Sequence, residues 1–396
     1  MRYLSNALRD LGHEVDLMSG PPYPIVDDGV GLIKLPGLDL YTLNSWQRLF
    51  INPLKLNTYP NFVEWSGTAT GYFSEPLAFG MRAYRYLVDK GNKKYDVIHD
   101  NQTLSYGIAD IQKLGYPVVE TIHHPVTIDR DLAIKSAKSF KDKLGYRRWF
   151  SFINMQIKVA RQLSHIITVS EMAKRHISEV FKVPESRLYV VYNGIDTEIF
   201  SPSEEVERLD NMILMVMSRD TFVKGLRFLL EALAELSQKY DLKLVVVGTT
   251  LGDGVTEKLM DRLGIADRVQ FVNKIDTAEL VRLYRSATLV AVPSTYEGFG
   301  IPAAEAMACG APVVSTTAGA LPEVVGDAGL LIPPADSHAL ANSISQLLDD
   351  PERRKEFSIL GRKRILEQFS WKEAAKRTLE VYSEAVRQKH SDSVKV

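Results

Sequence analysis

The sequence predicts an α/β fold with two doubly wound parallel sheets, and three observations carry that prediction. Short apolar runs alternate with longer amphipathic ones through both halves, the pattern of parallel strands crossed by helices. The short runs are unbroken stretches of Val, Ile and Leu, as strands buried on both faces require. A chain of 396 residues, 45% hydrophobic and 24% charged, is globular and long enough for two domains with cores of their own.

In the first half the strand candidates are Glu14 to Met18, Val97 to His99, Val118 to Ile122, His165 to Val169 and Leu188 to Tyr192. In the second they are Met212 to Met217, Lys243 to Val247, Val269 to Val272, Leu289 to Val292, Val313 to Ser315 and Leu330 to Ile332. Gly115-Tyr-Pro-Val-Val and Gly310-Ala-Pro-Val-Val both read as a turn feeding a buried strand, a similarity of architecture between the halves. A Ser-Pro-Ser stretch running into Glu204, Glu205 and Glu207 places the domain boundary within Thr197 to Asn211, giving domains at 1–200 and 201–370. An amphipathic helix at 371–387 and a polar, frayed tail at 388–396 close the chain.

Charge and cysteine content exclude some classes. A net charge of −1 offers no basic excess to neutralise a nucleic-acid backbone. The single cysteine, Cys309, rules out a disulfide within the chain and sits among small apolar residues, so it is expected buried and inert. No signal-peptide pattern and no bilayer-length apolar run occur, and the expected compartment is the cytoplasm.

The chemistry concentrates between Leu289 and Gly319. A buried strand stops at Pro293 and Ser294, a loop follows with Gly298 and Gly300, and Pro302 is placed as the first residue of a helix. Unobstructed N–H groups and the positive end of a helix dipole at a strand's carboxyl end make a phosphate site. Glu297 on the loop and Glu305 about one turn into the helix bracket it, so a ligand with phosphate at the helix start could offer sugar hydroxyls to both. Read alone, the pair is equally well an ordinary first-turn acid and a solvated loop residue. Arg219, just after the strand Met212 to Met217, and Lys224, at a helix start, bring two cations to the same sheet edge, where they can hold a diphosphate and stabilise it as a leaving group.

These segments resemble retaining nucleotide-sugar glycosyltransferases of the GT-B fold, in particular family 4, the glycosyl transferases group 1. Tyr296-Glu-Gly-Phe-Gly-Ile-Pro302 with Glu305 matches the family's Glu, seven residues, Glu signature. Ser218-Arg-Asp-Thr-Phe-Val-Lys-Gly225 matches its Arg-x4-Lys-Gly element, and Asn193-Gly-Ile-Asp196 its junction segment. Gly319 to Val325 and Gly329 to Pro333 continue the pattern. The resemblance implies two Rossmann-like domains facing a central cleft, and a hexosyltransferase of carbohydrate biosynthesis that moves a sugar from a UDP- or GDP-sugar to a glycan or lipid-linked acceptor. It implies no bound metal and no cofactor beyond the donor. It also implies that Glu305 binds the ribose, that Glu297 binds the donor sugar, and that the amides of Gly298, Phe299, Gly300 and Ile301 serve phosphate and sugar. Thr121-Ile-His123 matches the family's Thr-x-His element, which puts His123 beside the reacting sugar, with His124 as its rival.

Three departures set further expectations. Family members begin with a strand and a glycine-rich loop, whereas this chain opens inside the following helix, at Tyr3 to Leu11, so the N-terminal sheet is expected to lack a central strand and to be unstable as drawn. The expected full protein carries roughly a few tens more residues. After the strand Lys243 to Val247 the glycines Gly248 and Gly252 to Gly254 are split, which leaves open which one approaches the donor, with Gly248 expected to do so. The base-binding segment Phe271-Val-Asn-Lys-Ile275 lacks the usual glycine. Trp46, Phe50, Tyr59, Phe62, Trp65, Tyr72, Phe73 and Phe79 are read mostly as core, and the basic, aromatic-edged Lys135 to Phe152 as a solvated face, with peripheral contact at the inner face of a membrane as the minority reading. A GT-B epimerase or phosphorylase and a non-catalytic nucleotide-sugar binder are the alternatives, told apart by whether nucleotide release depends on an acceptor.

Overall fold

The computed structural model describes every residue except 90–94, 138, 251, 253, 395 and 396. Lys138 of the basic stretch and Leu251 and Asp253 of the split glycine segment therefore lie outside the described residues. The described chain forms two compact units, one of residues 1–169, 173–191 and 375–396, the other of residues 170–172 and 192–374. The division falls between Val191 and Tyr192, ahead of the Thr197 to Asn211 segment.

In the first unit the strands are β1 (Val15–Ser19), β2 (Val30–Lys34), β3 (Ile98–Asn101), β4 (Val118–Ile122), β5 (His165–Thr168) and β6 (Leu188–Val190). They form a two-stranded sheet, β1-β2, and a four-stranded sheet, β3-β4-β5-β6, with every pairing parallel. A cavity of about 1350 Å³ lies against both β1 and β3, each an edge strand of its sheet. β4 and β5 are buried along their whole length because helices cover both faces, and their Val, Ile and Thr residues fit such a pleated interior. Strand β2 is a correction: Val-Gly-Leu-Ile-Lys was not predicted as a strand.

The second unit contains β7 (Met212–Arg219), β8 (Lys243–Thr249), β9 (Val269–Val272), β10 (Leu289–Val292), β11 (Val313–Thr316) and β12 (Leu330–Ile332). Their order is β12-β11-β10-β7-β8-β9, all parallel, which is a doubly wound sheet whose strand order reverses between β7 and β10. Ligands of such sheets bind at the carboxyl ends of the strands beside that reversal. Leu226, Leu229, Leu230 and Leu233, on the helix Leu226–Leu236, pack with Leu244, Val246 and Leu289 into its core.

Several boundaries differ from expectation. Strand β7 runs on through Arg219 instead of stopping at Met217, because its pairing with β8 resumes at Arg219 and Thr249 after an irregularity. The helix that starts at Trp371 continues to Val394, so the stretch from Arg387 is helical and not a frayed tail. Trp46, Phe50, Tyr59 and Phe62 are exposed, which overturns the core reading for half of the aromatic set. No described helix is long and apolar enough to cross a membrane.

Candidate functional site

In the second unit, β10 ends in a loop that turns at Gly298 to Gly300 and enters the helix Ile301–Ala308. Pro302 is the second residue of that helix and not the first, and Gly300 is its cap. The N–H groups of Gly298, Phe299, Gly300 and Ile301 donate to no protein acceptor among the described residues. Open donors at a helix start, reinforced by the helix dipole, are chemically suited to an anion.

Three hydrogen bonds from other segments lock the loop in place. Thr295 N–H donates to Val223 O at 2.8 Å, Ala320 N–H donates to Glu297 O at 3.0 Å, and Ser170 Oγ donates to Gly298 O at 3.1 Å. Phe299 is buried against Phe369 and Tyr192, with ring centroids 5.9 and 6.4 Å away, so its side chain anchors the loop while its amide stays open.

Lys224 ends the short turn Phe222–Lys224, just before the helix Leu226–Leu236 and not within its start. Its Nζ lies 2.9 Å from Glu297 Oε2, which also accepts from Ser294 Oγ at 3.2 Å. Both side chains of this pair are mostly covered, 25% and 15% exposed, so solvent screens the contact only in part. The pairing joins two of the residues expected to meet. Arg219 is placed by its backbone, at the end of β7 beside Thr249.

Glu305 lies one turn into its helix, where Tyr284 Oη donates to its Oε2 at 3.0 Å. Burial pushes the Glu305 carboxyl up to about 7, an effect that the Tyr284 hydroxyl partly opposes. A raised carboxyl pKa means that the folded protein keeps a proton the unfolded chain gives up. Its contribution to stability is therefore full below its ordinary value of 4.5 and is lost as pH rises through about 7. We expect Glu305→Gln to flatten this dependence by up to about 1.4 kcal/mol per pH unit within that window, read as a narrower gap between calorimetric Tm values on its two sides.

Gly248 has a structural reason. A Cβ there would lie 2.3 Å from Met217 O, so the residue lets β8 approach β7. Cys309, at the end of the Glu305 helix, is fully buried and burial pushes its thiol up to about 12, as expected of an inert residue.

In the first unit, His123 follows β4. Its N–H donates to Gln102 Oε1 at 2.9 Å and its Nε2 lies 2.9 Å from Asn101 Oδ1. His124 instead pairs through Nε2 with Asp129 Oδ2 at 2.9 Å. Burial first, then the α-amino group of Met1 and His124, lower His123 to about 4, so its ring is neutral at pH 7. Gln102, which sequence reasoning missed, braces this turn: its Nε2 donates to His124 O at 3.2 Å and its own N–H donates to Glu120 Oε1 at 2.9 Å. Glu120 is fully buried beside Asp100, and burial, the Asp100 charge and their shared hydrogen bond raise it well above the usual carboxylate range. The Glu120 carboxyl, by accepting the Gln102 N–H, helps to hold Gln102 at a φ of 61°, a strained value that the surrounding bonds over-determine. Ser294, Tyr284 and Gln102 were missed because each looks like an ordinary core or loop residue until the fold brings it to its partner.

Among the described residues no group of three or more His, Cys, Asp or Glu could hold a metal ion. The helix Phe140–Trp149 in the basic stretch buries none of its residues and exposes Phe140 and Leu144.

The sequence profile described as Glycosyltransferase Family 4 matches residues 1–199, and that described as Glycosyl transferases group 1 matches residues 198–364. The chain is 41% identical over 390 residues to the MMP alpha-(1->4)-mannosyltransferase of Mycolicibacterium hassiacum, covering 98% of this chain and 94% of that protein. It is 30% identical over 310 residues to the D-inositol 3-phosphate glycosyltransferase of Mycolicibacterium smegmatis, covering 74% and 68%. Among solved structures, sucrose-phosphate synthase from Thermosynechococcus elongatus superposes with a TM-score of 0.68 at 24% identity, over 97% of this chain and 92% of that one, which shows a shared fold. With parallel sheets of this topology in both units and matches along nearly its whole length, the chain belongs to glycosyltransferase family 4 and has the GT-B fold.

Proposed function

We propose that this glycosyltransferase moves a mannosyl group, with retention of configuration, from a nucleotide-diphosphate sugar to a hydroxyl of a glycan acceptor, forming an α-(1→4) bond. The observation that carries the reading is the Lys224–Glu297 contact beside the four open amides of Gly298 to Ile301. The mannosyltransferase at 41% identity supports the sugar and the linkage.

The amides and Lys224 hold the diphosphate, and their positive charge stabilises it as the bond from sugar C1 to the phosphate oxygen breaks. The acceptor oxygen attacks C1 from the face the phosphate leaves, and its proton passes to a departing phosphate oxygen. Glu297 serves the donor sugar and Glu305 the ribose, while neutral His123 orients hydroxyls. Lys224 and the amides supply the charge compensation that a metal supplies elsewhere, so we propose turnover without one.

The test supplies GDP-mannose and, separately, UDP-glucose, with and without an α-mannoside acceptor, and follows nucleotide diphosphate release and the anomeric proton of the product. Acceptor-dependent release of GDP with an α-linked product, unchanged by a chelator, is the expected result. Acceptor-independent release, an inverted product or recovery of an isomerised donor would overturn the reading.

A further inference from the structure

We propose that Asn101 is a positioning residue for His123: it takes the Nε2 proton of the ring and so leaves Nδ1 as a hydrogen-bond acceptor for a sugar hydroxyl. The proposal rests on the reading that His123 orients hydroxyls of the reacting sugars. The register of the parallel strands puts Asn101 where it can do this. Asn101 is the last residue of β3 and stands opposite Thr121 on β4, two residues before His123. Both residues thus emerge from the carboxyl edge of one sheet, and the amide oxygen of Asn101 meets ring Nε2 at 2.9 Å.

An amide oxygen can only accept, so the nitrogen facing it must carry the proton. In a neutral imidazole the other nitrogen then has a free lone pair. No described residue bonds His123 Nδ1. Its neighbour His99 shows the opposite arrangement. There Nδ1 lies 2.6 Å from Tyr382 Oη and Nε2 lies 2.7 Å from Thr121 Oγ1, so both nitrogens are spent on structure. His124 faces a carboxylate instead. At His123 a neutral partner on one ring nitrogen combines with a braced backbone, since Gln102 accepts the His123 N–H and donates to the His124 carbonyl. The ring is held in one plane and one tautomer, and the chemistry it can offer is acceptance from O–H.

A carboxylate in place of Asn101 reverses this. It accepts the same Nε2 proton but favours the doubly protonated ring, in which Nδ1–H is a donor and no longer an acceptor. The titratable groups around the ring are the α-amino group of Met1, His99 and His124, with the Asp100 and Glu120 carboxyls behind the loop. None of them is altered by the change.

The experiment compares kcat/KM of native protein and Asn101→Asp from about pH 5 to 9 and, independently of turnover, records long-range proton–nitrogen NMR spectra of 15N-histidine-labelled native protein and Asn101→Ala. The His123 signals among the eight histidines are assigned with His123→Gln. We expect the acid limb of Asn101→Asp to move up by about one to three pH units, so that its activity at low pH falls about tenfold or more against its own plateau while the native ratio changes little. We also expect a single Nε2–H tautomer in the native spectrum and mixed tautomers in Asn101→Ala. A native ring protonated on Nδ1, an unchanged tautomer in Asn101→Ala, or an Asn101→Asp profile parallel to the native one overturns the proposal. Asn101 is exposed, so both variants should fold. If the native protein transfers no sugar, the functional reading fails while the spectra still decide the role of Asn101.

Discussion

Replacing Lys224 by methionine lowers kcat/KM for transfer by about 10²- to 10³-fold while the protein stays folded. The size follows from what the ammonium does. A donor aimed at a charge that develops only as the diphosphate leaves acts in the transition state more than in the ground state, and removing one such group costs about 2.7–4 kcal/mol. Methionine keeps the apolar stem, so the packing change is small. What remains is a Glu297 carboxylate whose Oε2 keeps Ser294 Oγ, 3.2 Å away. The loss is expected mainly in kcat, because the open amides still bind the ground-state phosphate.

A structural ion pair would behave otherwise, and a double-mutant cycle separates the cases. If the pair merely tied two loops together, Lys224→Met with Glu297→Gln would restore activity toward that of the milder single variant. If each group meets the donor, the double variant is at least as impaired as the worse single one. Activity of Lys224→Met within about threefold of native would remove the lysine from the mechanism altogether.

Much of the fold that carries the candidate residues of each unit was legible before the structure, for a physical reason. Parallel strands covered on both faces need unbroken apolar runs, so β4, β10 and β11 announce themselves, and the glycine-rich turn after β10 must follow from strand to helix. Strand β2 did not announce itself because it is half-buried, with only Val30 fully covered, and carries a glycine at its second position. Sequence cannot distinguish a glycine that admits a substrate from one that admits the next strand, and at Gly248 it is the close approach of Met217 that the fold adds. His123 differs from His124 in that its N–H donates to Gln102 Oε1 and its ring meets Asn101 Oδ1, partners about twenty residues away along the chain and neither part of any local pattern. Tyr284 reads as core from its sequence and is core, except that its hydroxyl ends on Glu305. Contacts that join distant segments are what the fold adds.

The loop that carries Glu297 rests on one such contact, and Gly319→Ala is expected to break it. Gly319 has a φ of +60°, where an alanine costs about 1–2 kcal/mol. The larger problem is space. A Cβ at Gly319 would lie 2.0 Å from the carbonyl oxygen of Glu297 and 2.9 Å from its backbone nitrogen and carbonyl carbon, and no rotamer change can clear backbone atoms. The same oxygen accepts the N–H of Ala320 at 3.0 Å, so displacing it breaks the bond that seats the loop and moves Glu297 relative to Lys224. Gly264→Ala supplies the control, because its φ of +66° is similar while a Cβ there meets nothing within 4 Å. The control should lose only the backbone cost, a few degrees in Tm, and keep its activity. Gly319→Ala should lose at least about 2 kcal/mol more than the control and about 10² in kcat/KM, since a shift of about 1 Å in a positioning group is enough for that. Equal Tm losses in the two variants, with transfer intact in both, would mean that the two loops do not depend on each other.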